Sequence, residues 1–164
     1  MESSLSIQIE EMGLVSLDDN EFTYVFKWSD GPDTWGGEGA PLDGETIVIP
    51  KGFNLLVDIN QGPKLKAVIV QGSLIFSPNK EDPNHERSFD AHYIYIDGGR
   101  MELGTAEFPY TSKLTVTMHS KIDDPYIPIY GNKCIGLRYG TLDMHGIPKT
   151  PTWTVMETTV EAGE

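Results

Sequence analysis

The chain of 164 residues has little of several features that would assign it to a functional class. It contains a single cysteine, Cys134, so no internal disulfide can form. It has 12 Lys and Arg against 25 Asp and Glu, a formal net charge of -13. Because phosphate recognition requires clustered basic side chains, this balance disfavours nucleic acid and anionic membrane surfaces as partners.

Long apolar runs are also missing. No stretch approaches the roughly 20 apolar residues that cross a bilayer, so we expect no membrane insertion by this segment. The first residues, Met1 to Ser4, lack the basic and apolar regions of a signal peptide. No apolar period of 3.6 persists over ten residues, which predicts little helix. Hydrophobic residues nevertheless make up 38% of the chain, enough for a folded core.

The chain contains one sequence motif three times. In each copy a short apolar run is followed by a glycine and then by a second short apolar run. The copies lie at 67–76, 93–103 and 135–144. Such repetition predicts stacked coils more readily than hairpins. We therefore predict an all-β fold, a right-handed parallel β-helix-like coil stack with polar loop excursions. A β-sandwich is the alternative, with Asp97-Gly98 as a hairpin turn.

Aligning the first two copies predicts a register, provided that Gly99 is an extra corner residue. Val68 then pairs with Ile94, Val70 with Ile96 and Leu74 with Met101. The corners at Gly72 and Gly98 should stack at about the 4.8 Å spacing of paired strands. The predicted core is Val68, Val70, Leu74, Ile94, Ile96, Met101, Leu103 and Leu142. The residues expected to be exposed are Lys66, Gln71 and Arg100.

The spacing of turn residues predicts the strands and the segments between them. Strands are expected near 46–50, 54–59, 66–70, 73–76, 92–96, 100–103, 114–118, 134–138 and 141–145. Polar excursions from the stack are expected at 77–88, 107–113 and 119–133. A turn-dense loop at 28–44 carries two tryptophans.

Three acidic residues near one corner are the only candidates for acid–base chemistry. Glycoside hydrolysis requires two carboxylates about 5 to 10 Å apart, and Asp97, Glu102 and Glu107 could supply such a pair. The alternative is that all three are surface residues of strands and turns, as expected in a chain with 25 acidic residues. We favour that alternative and predict no catalytic residue.

Histidine and tryptophan supply the remaining candidates. His92, His119 and His145 are spaced by 27 and 26 residues, so stacked coils could align them as metal ligands; the alternative, which we favour, is coincidence. Trp28 and Trp35 could stack on sugar rings, although anchoring of a loop on the core is the more common role. The acidic residues are scattered, so we expect no cofactor, with calcium as the alternative. Cys134 lies in a strand-like run and is predicted to be a buried thiol.

The ordered motifs resemble the eight-glycine domain, named for its recurring glycines, over residues 28–146. Within that family of domains, the sequences of these motifs most resemble the fibrocystin-L group of the polycystic kidney and hepatic disease family. The motifs are Trp35-Gly36-Gly37, Pro41, Gly44, Ile47-Val48-Ile49-Pro50, Gly52, Leu56-x-Asp58, Gly72-x-Leu74, Tyr93-Ile94-x-Ile96, Gly98-Gly99, Leu103-Gly104-Thr105 and Leu142-x-Met144-His145-Gly146.

The resemblance implies parallel β-helical coils in an extracellular segment of a very large single-pass membrane protein. Residues 1–27 would lead into the domain and residues 147–164 into the next part of the parent protein. The expected partners are an extracellular protein or glycan and neighbouring domains of the parent.

More distant relatives include cell-surface hyaluronidases, which makes hyaluronan binding or cleavage the alternative function. Members often place Glu after the Gly-Thr of 104–105, whereas this chain has Ala106. The missing carboxylate favours a non-catalytic module for adhesion, coat or receptor-type contacts.

Overall fold

A computed structural model describes residues 6–9, 13–16, 24–78, 85–125, 127, 129–155 and 157. Twelve strands occur in this part of the chain. They are β1 (Ser6–Ile9), β2 (Gly13–Ser16), β3 (Phe26–Lys27), β4 (Thr46–Ile49), β5 (Asn54–Leu56), β6 (Gln61–Val70), β7 (Ser73–Phe76), β8 (Glu86–Asp97), β9 (Arg100–Leu103), β10 (Lys113–Met118), β11 (Ile135–Arg138) and β12 (Thr141–Met144). The only helix within the described residues is a short 3-10 segment, Trp28–Asp33, so the predicted all-β class is confirmed.

Two five-stranded sheets form the body of the protein, and every strand pair in them is parallel. One has the order β10-β8-β6-β4, with β11 also pairing with β8; the other has the order β12-β9-β7-β5-β3. Strands that follow one another along the chain, such as β6 and β7, belong to different sheets. The third unit, β1 with β2, is antiparallel.

The predicted register is confirmed. Val68 pairs with Ile94 and Val70 with Ile96 between β6 and β8. Leu74 pairs with Met101 between β7 and β9. The hairpin at Asp97-Gly98 does not form, because β8 and β9 pair with different neighbours instead of with each other.

The glycine that stacks at the corner is Gly99, which corrects the prediction for Gly98. Arg100 N–H donates to the carbonyl of Gly72 at 2.8 Å, and Thr141 N–H donates to the carbonyl of Gly99 at 2.9 Å. Gly98 instead has φ of 79°, a left-handed conformation that glycine adopts without strain. The column of close backbone contacts is therefore Gly72, Gly99 and Gly140.

The long strands β6 and β8 change the side that their side chains face. Leu65, Ala67 and Val68 are all buried, although residues of odd and even number normally point to opposite faces of a strand. Lys66 between them is exposed. The alternation thus shifts by one residue, which marks a bend within β6. This bend falls at the register position of His92 and Tyr93 in β8.

Two loops are shorter than predicted. β8 begins at Glu86, within the predicted excursion 77–88. β6 begins at Gln61, in a Gly-Pro turn signal, because an irregularity between Gln61 and Lys64 accommodates Pro63 within the parallel pair. The third excursion is confirmed, because β10 ends at Met118 and β11 begins at Ile135.

The core lies between the two sheets and matches most of the predicted set. Val68, Val70, Leu74, Ile94 and Ile96 are fully buried. Met101 is 2% exposed, and Leu103 is partly buried against the core. Lys66, Gln71 and Arg100 are exposed, as predicted.

Leu142 is the exception in the predicted core, because it is 39% exposed. It lies on β12, the last strand of its sheet, whose one partner among the described residues is β9. A residue of the repeat is therefore buried only where a further strand covers it.

The proposed N-terminal segment, residues 1–27, contains β1, β2 and β3. Residues 17–23 and 158–164 fall outside the described residues, so the predicted segment limits at 27 and 147 remain predictions. No helix in the described ranges is long and apolar enough to span a membrane.

Candidate functional site

A cleft of about 250 Å³ lies over the bend of β6 and β8. Its floor comes from the two long strands, and its wall comes from the residues that follow β10. The lining residues are Gly44, Lys66, His92, Tyr93, Ser120, Asp124 and Pro125. Lys66 faces outward by the ordinary alternation of the strand, between buried Leu65 and Ala67, and it lines this surface.

The wall of the cleft is fastened to β8 by a histidine–aspartate pair. His92 Nδ1 lies 3.3 Å from Asp124 Oδ2, and Ser120 Oγ donates to the carbonyl of His92 at 2.7 Å. Lys121 N–H donates to Asp124 Oδ2 at 2.7 Å. The Lys121 amide, and to a lesser extent His92, lower the pKa of Asp124, so that carboxylate is held in its charged form.

His119 belongs to the same surface but has its own partner. Its Nε2 lies 2.5 Å from Asp90 Oδ1, and its N–H donates to the carbonyl of Ala91 at 2.8 Å. His92 lies on β8, and His119 directly follows β10, the neighbouring strand. Each ring nevertheless faces a different carboxylate.

His145 directly follows β12 of the other sheet, so the three candidate histidines are not brought together. Its Nε2 contacts Asp143 Oδ1 at 2.7 Å. No group of three or more His, Cys, Asp or Glu side chains that could hold a metal ion occurs within the described residues.

Two of the three predicted acidic residues are engaged with arginines. The Arg100 guanidinium contacts Glu102 at 2.9 Å and Asp143 at 2.5 Å, and Arg138 Nε lies 3.5 Å from Asp97. The carboxylate that lies beside Glu102 in register is thus Asp143, which the sequence reasoning had not selected. Glu107 is exposed on the turn between Thr105 and Phe108, where Phe108 N–H donates to Thr105 Oγ1 at 3.0 Å.

Trp28 anchors the 3-10 segment on the core and is not available for sugar stacking. It is 2% exposed, and its ring packs edge-on against Trp35 and Phe89. Trp35 Nε1 donates to the carbonyl of Trp28 at 3.2 Å. Trp35 is half-buried and lines a separate cleft of about 200 Å³ together with Glu38, Pro41 and Glu45. Of the two candidate stacking residues, only Trp35 therefore has a ring that is partly exposed to solvent.

Cys134 is a free thiol, and it is partly rather than fully buried. It lies one residue before β11, where its carbonyl accepts a hydrogen bond from the Ile94 N–H at 3.1 Å. Burial raises the pKa of its thiol. A raised pKa leaves less thiolate at neutral pH, which favours an inert structural role.

Of the residues that line the cleft, the sequence indicates only His92 as a candidate, and it does not indicate Lys66, Tyr93 or Asp124 as site residues. Lys66 and Tyr93 lie at the beginning of apolar runs. The alternation of apolar and polar residues in one strand does not indicate that the strand bends at these positions. A signal for Asp124 existed in Asp123-Asp124-Pro125, a turn-forming sequence within an excursion that begins beside His119.

The architecture and its glycine corners agree with a comparison against known families. The family model described as the G8 domain matches residues 34–157. This chain belongs to the G8 domain family. The eight-glycine motifs are therefore confirmed, and the parallel strands between them are the framework of this G8 domain.

Two fibrocystin-type proteins and one hyaluronidase are among the relatives of this G8 domain. Human fibrocystin-L is 36% identical over 159 residues, 96% of this chain and 4% of that protein. Mouse fibrocystin is 32% identical over 145 residues, 87% of this chain and 3% of that protein. Human cell surface hyaluronidase CEMIP2 is 30% identical over 120 residues, 71% of this chain and 8% of that protein. The G8 domain thus spans a small fraction of each relative.

Proposed function

We propose that this G8 domain is a non-catalytic module in the extracellular part of a large plasma-membrane protein, where it makes adhesion, coat or receptor-type contacts. Its similarity to fibrocystin-L over 96% of the chain supports this assignment. The net charge of -13 argues against nucleic acid as the partner. Neighbouring domains of the parent protein are the expected structural partners.

We further propose that the strands are coils of a right-handed parallel β-helix. Three successive pairs of strands, β4–β5, β6–β7 and β8–β9, each contribute one strand to each sheet. The Gly72, Gly99 and Gly140 column supports this, because corners in contact keep the coils in register. A stack of this kind presents a flat outer face suited to extended ligands.

The observation that carries the non-catalytic assignment is the pairing of the acidic candidates. A retaining or inverting glycosidase requires one carboxyl group that can give up a proton and a second that is free to attack or to activate water. Glu102 and Asp97 instead face Arg100 and Arg138. A carboxylate that is already paired with an arginine is not free to attack the sugar or to activate water.

The cleft over the bend is the contact surface that we assign to this function. Lys66 provides a cation, Tyr93 an aromatic face and the His92–Asp124 pair a hydrogen-bonding edge. This set suits a carboxylate-bearing or hydroxyl-rich group, which an acidic glycan or an acidic side chain of a protein can supply.

Binding of the purified domain to a glycan array and to cell-surface protein fractions tests the proposal. We expect Lys66→Ala and His92→Ala to lower binding of the captured ligand at least about tenfold, equivalent to 1.4 kcal/mol. Lys51→Ala is the control, because Lys51 is also an exposed lysine but lies in a turn outside the cleft. Equal losses in all three variants would show that the cleft is not the contact surface.

Hyaluronan binding or cleavage is the second candidate, because one relative is named a cell surface hyaluronidase. Incubation of the domain with hyaluronan, with and without calcium, followed by gel analysis, distinguishes the two. We expect no loss of chain length. Shortening that Glu107→Gln or Asp97→Asn abolishes would establish the enzyme, and shortening only with calcium would also establish the calcium requirement.

A further inference from the structure

The smaller cleft, which contains Trp35, combines an aromatic ring with two carboxylates. It has a volume of about 200 Å³, and we call it the Trp35 pocket. It shares no lining residue with the cleft over the bend. The loop after the 3-10 segment and the start of β4 supply the lining residues that matter here, which are Trp35, Glu38, Pro41, Glu45, Thr46 and Val48.

Trp35 contributes a fixed apolar surface to this pocket. Its Nε1 donates to the carbonyl of Trp28 at 3.2 Å, and the two rings pack edge-on with their centroids 4.9 Å apart. Trp28 is itself 2% exposed, so the Trp35 ring is anchored on the core. Because the only donor of the indole is already used, the ring offers the pocket carbon atoms and π electrons.

The two carboxylates come from both sides of the sequence around the pocket. Glu45 Oε2 accepts a hydrogen bond from the Leu42 N–H at 2.9 Å, which holds the carboxylate at the start of β4. Glu38 is tied to the loop by its own N–H, which donates to the carbonyl of Trp35 at 3.3 Å. A carboxylate accepts several hydrogen bonds and donates none, so both groups can receive donors from a ligand.

This combination of groups matches an organic cation. A cation within about 6 Å of a tryptophan ring is attracted by its π electrons, and its N–H groups form charge-assisted hydrogen bonds to carboxylates. A sugar acid stacked on Trp35 would instead meet two like charges, in a chain whose net charge is -13. Charge complementarity therefore favours a basic ligand over an acidic glycan.

The size of the pocket favours a single side chain over a free small molecule. Small-molecule sites usually measure about 300 to 1,000 Å³ and bury most of the ligand. The Trp35 pocket is smaller, and Glu38, Glu45 and Thr46 in its wall are exposed. Pro41 and Val48, which is 52% exposed, add apolar surface that suits the aliphatic stem of a lysine or an arginine.

We propose that the Trp35 pocket binds a basic side chain, an arginine or a lysine, of a protein partner. The cationic group lies against Trp35 and donates hydrogen bonds to Glu38 and Glu45, while the stem contacts Pro41 and Val48. The pocket is a second contact surface, with a charge preference opposite to that of the cleft over the bend. The inference does not rest on the function proposed for that cleft.

An NMR titration of the full chain with short blocked peptides tests the pocket. The probes are Gly-Ser-Arg-Ser-Gly, the same peptide with lysine, and the same peptide with citrulline, which has the shape of arginine without its charge. We expect the arginine and lysine peptides to shift the indole N–H signal of Trp35 saturably, with tighter binding of arginine, because guanidinium groups also stack on aromatic rings. The citrulline peptide should bind at least about fivefold more weakly.

Variants of nearly unchanged size connect the binding to the two carboxylates. Glu38→Gln and Glu45→Gln each remove one charge, and the new amide oxygen at position 45 can still accept from Leu42 N–H. Each should weaken binding of the arginine peptide by about two- to fivefold. Glu107→Gln, the same change at an exposed glutamate outside the pocket, should leave the affinity unchanged.

Three results would overturn the proposal. Equal affinity for the arginine and citrulline peptides would show that the pocket does not select a charge. A shift of the Trp35 signal by a hyaluronan disaccharide but not by the basic peptides would assign the ring to sugar stacking. Equal affinity for methylguanidinium and for the arginine peptide would identify a free cation, instead of a protein side chain, as the ligand.

Discussion

Gly99 lies directly against the backbone of Gly72. A Cβ atom added to Gly99 would come within 2.5 Å of the Gly72 carbonyl oxygen and within 2.5 Å of the Val70 carbonyl oxygen. Neighbouring strands therefore approach at this corner to a distance that only glycine permits, and the same holds for Gly140 on Gly99, at 2.6 Å.

Replacing Gly99 by alanine should consequently destabilise the protein. The added methyl group meets backbone rather than a movable side chain, so we expect a loss of about 1 to 3 kcal/mol in the free energy of unfolding, measured by chemical denaturation. Gly39→Ala is the control, because nothing lies within 4 Å of the added Cβ there; its effect should stay within about 0.5 kcal/mol. Equal effects of the two variants would contradict the corner contact.

The difference between buried and open positions of the repeat can be measured with two leucines. Leu74 is fully buried between Leu55 and Met101 of the neighbouring strands, so Leu74→Ala should cost about 2 to 5 kcal/mol. Leu142→Ala should cost less than about 1 kcal/mol, because Leu142 is 39% exposed. Thermal and urea unfolding of both variants measures the two losses in stability. Equal losses would contradict the assignment of Leu74 to the core and Leu142 to the open end.

Acid should release the wall of the cleft. The Lys121 amide and His92 lower the pKa of Asp124 below its ordinary value of 3.8, so its contribution to stability is present above that pH and is lost as the pH falls through the lowered pKa. Asp124→Asn should remove this part of the acid dependence of Tm, which the wild type shows as the pH falls below about 4. Asp123→Asn, at the exposed neighbouring position, should leave the acid dependence as in the wild type.

Cys134 should react slowly with thiol reagents. Because burial raises the pKa of the thiol, the thiolate fraction at pH 7.5 is smaller than for a free cysteine, and we expect alkylation by iodoacetamide to be several-fold slower in the folded chain than in urea. Mass spectrometry of timed samples measures both rates. Equal rates would show that the thiol is open to solvent.

The register could be predicted from the sequence because Gly72 and Gly98-Gly99 mark equivalent corners, and the apolar positions then align by themselves. The same pattern could not show which of the two glycines makes the close contact. Nor could it predict the bend at Ala67 and Val68, because these two residues simply extend an apolar run.

The candidate site was harder to predict than the fold. The partners of His92 and His119 are Asp124 and Asp90, each separated from its histidine by about one repeat, and a single sequence gives no preference among its many acidic residues. The exposure of Leu142 likewise depends on what covers the last strand, which the pattern of the repeat does not contain.

The segment between Met118 and Ile135 separates β10 and β11, which lie in line along β8. Both ends of the segment are held by backbone hydrogen bonds to β8, from His119 N–H to Ala91 at 2.8 Å and from Ile94 N–H to Cys134 at 3.1 Å. The chain can therefore leave the sheet and return to it without disturbing the buried positions on either side. This interruption is a natural grafting point, where a foreign peptide or an epitope loop would be displayed beside the cleft while the strand framework keeps its own stability.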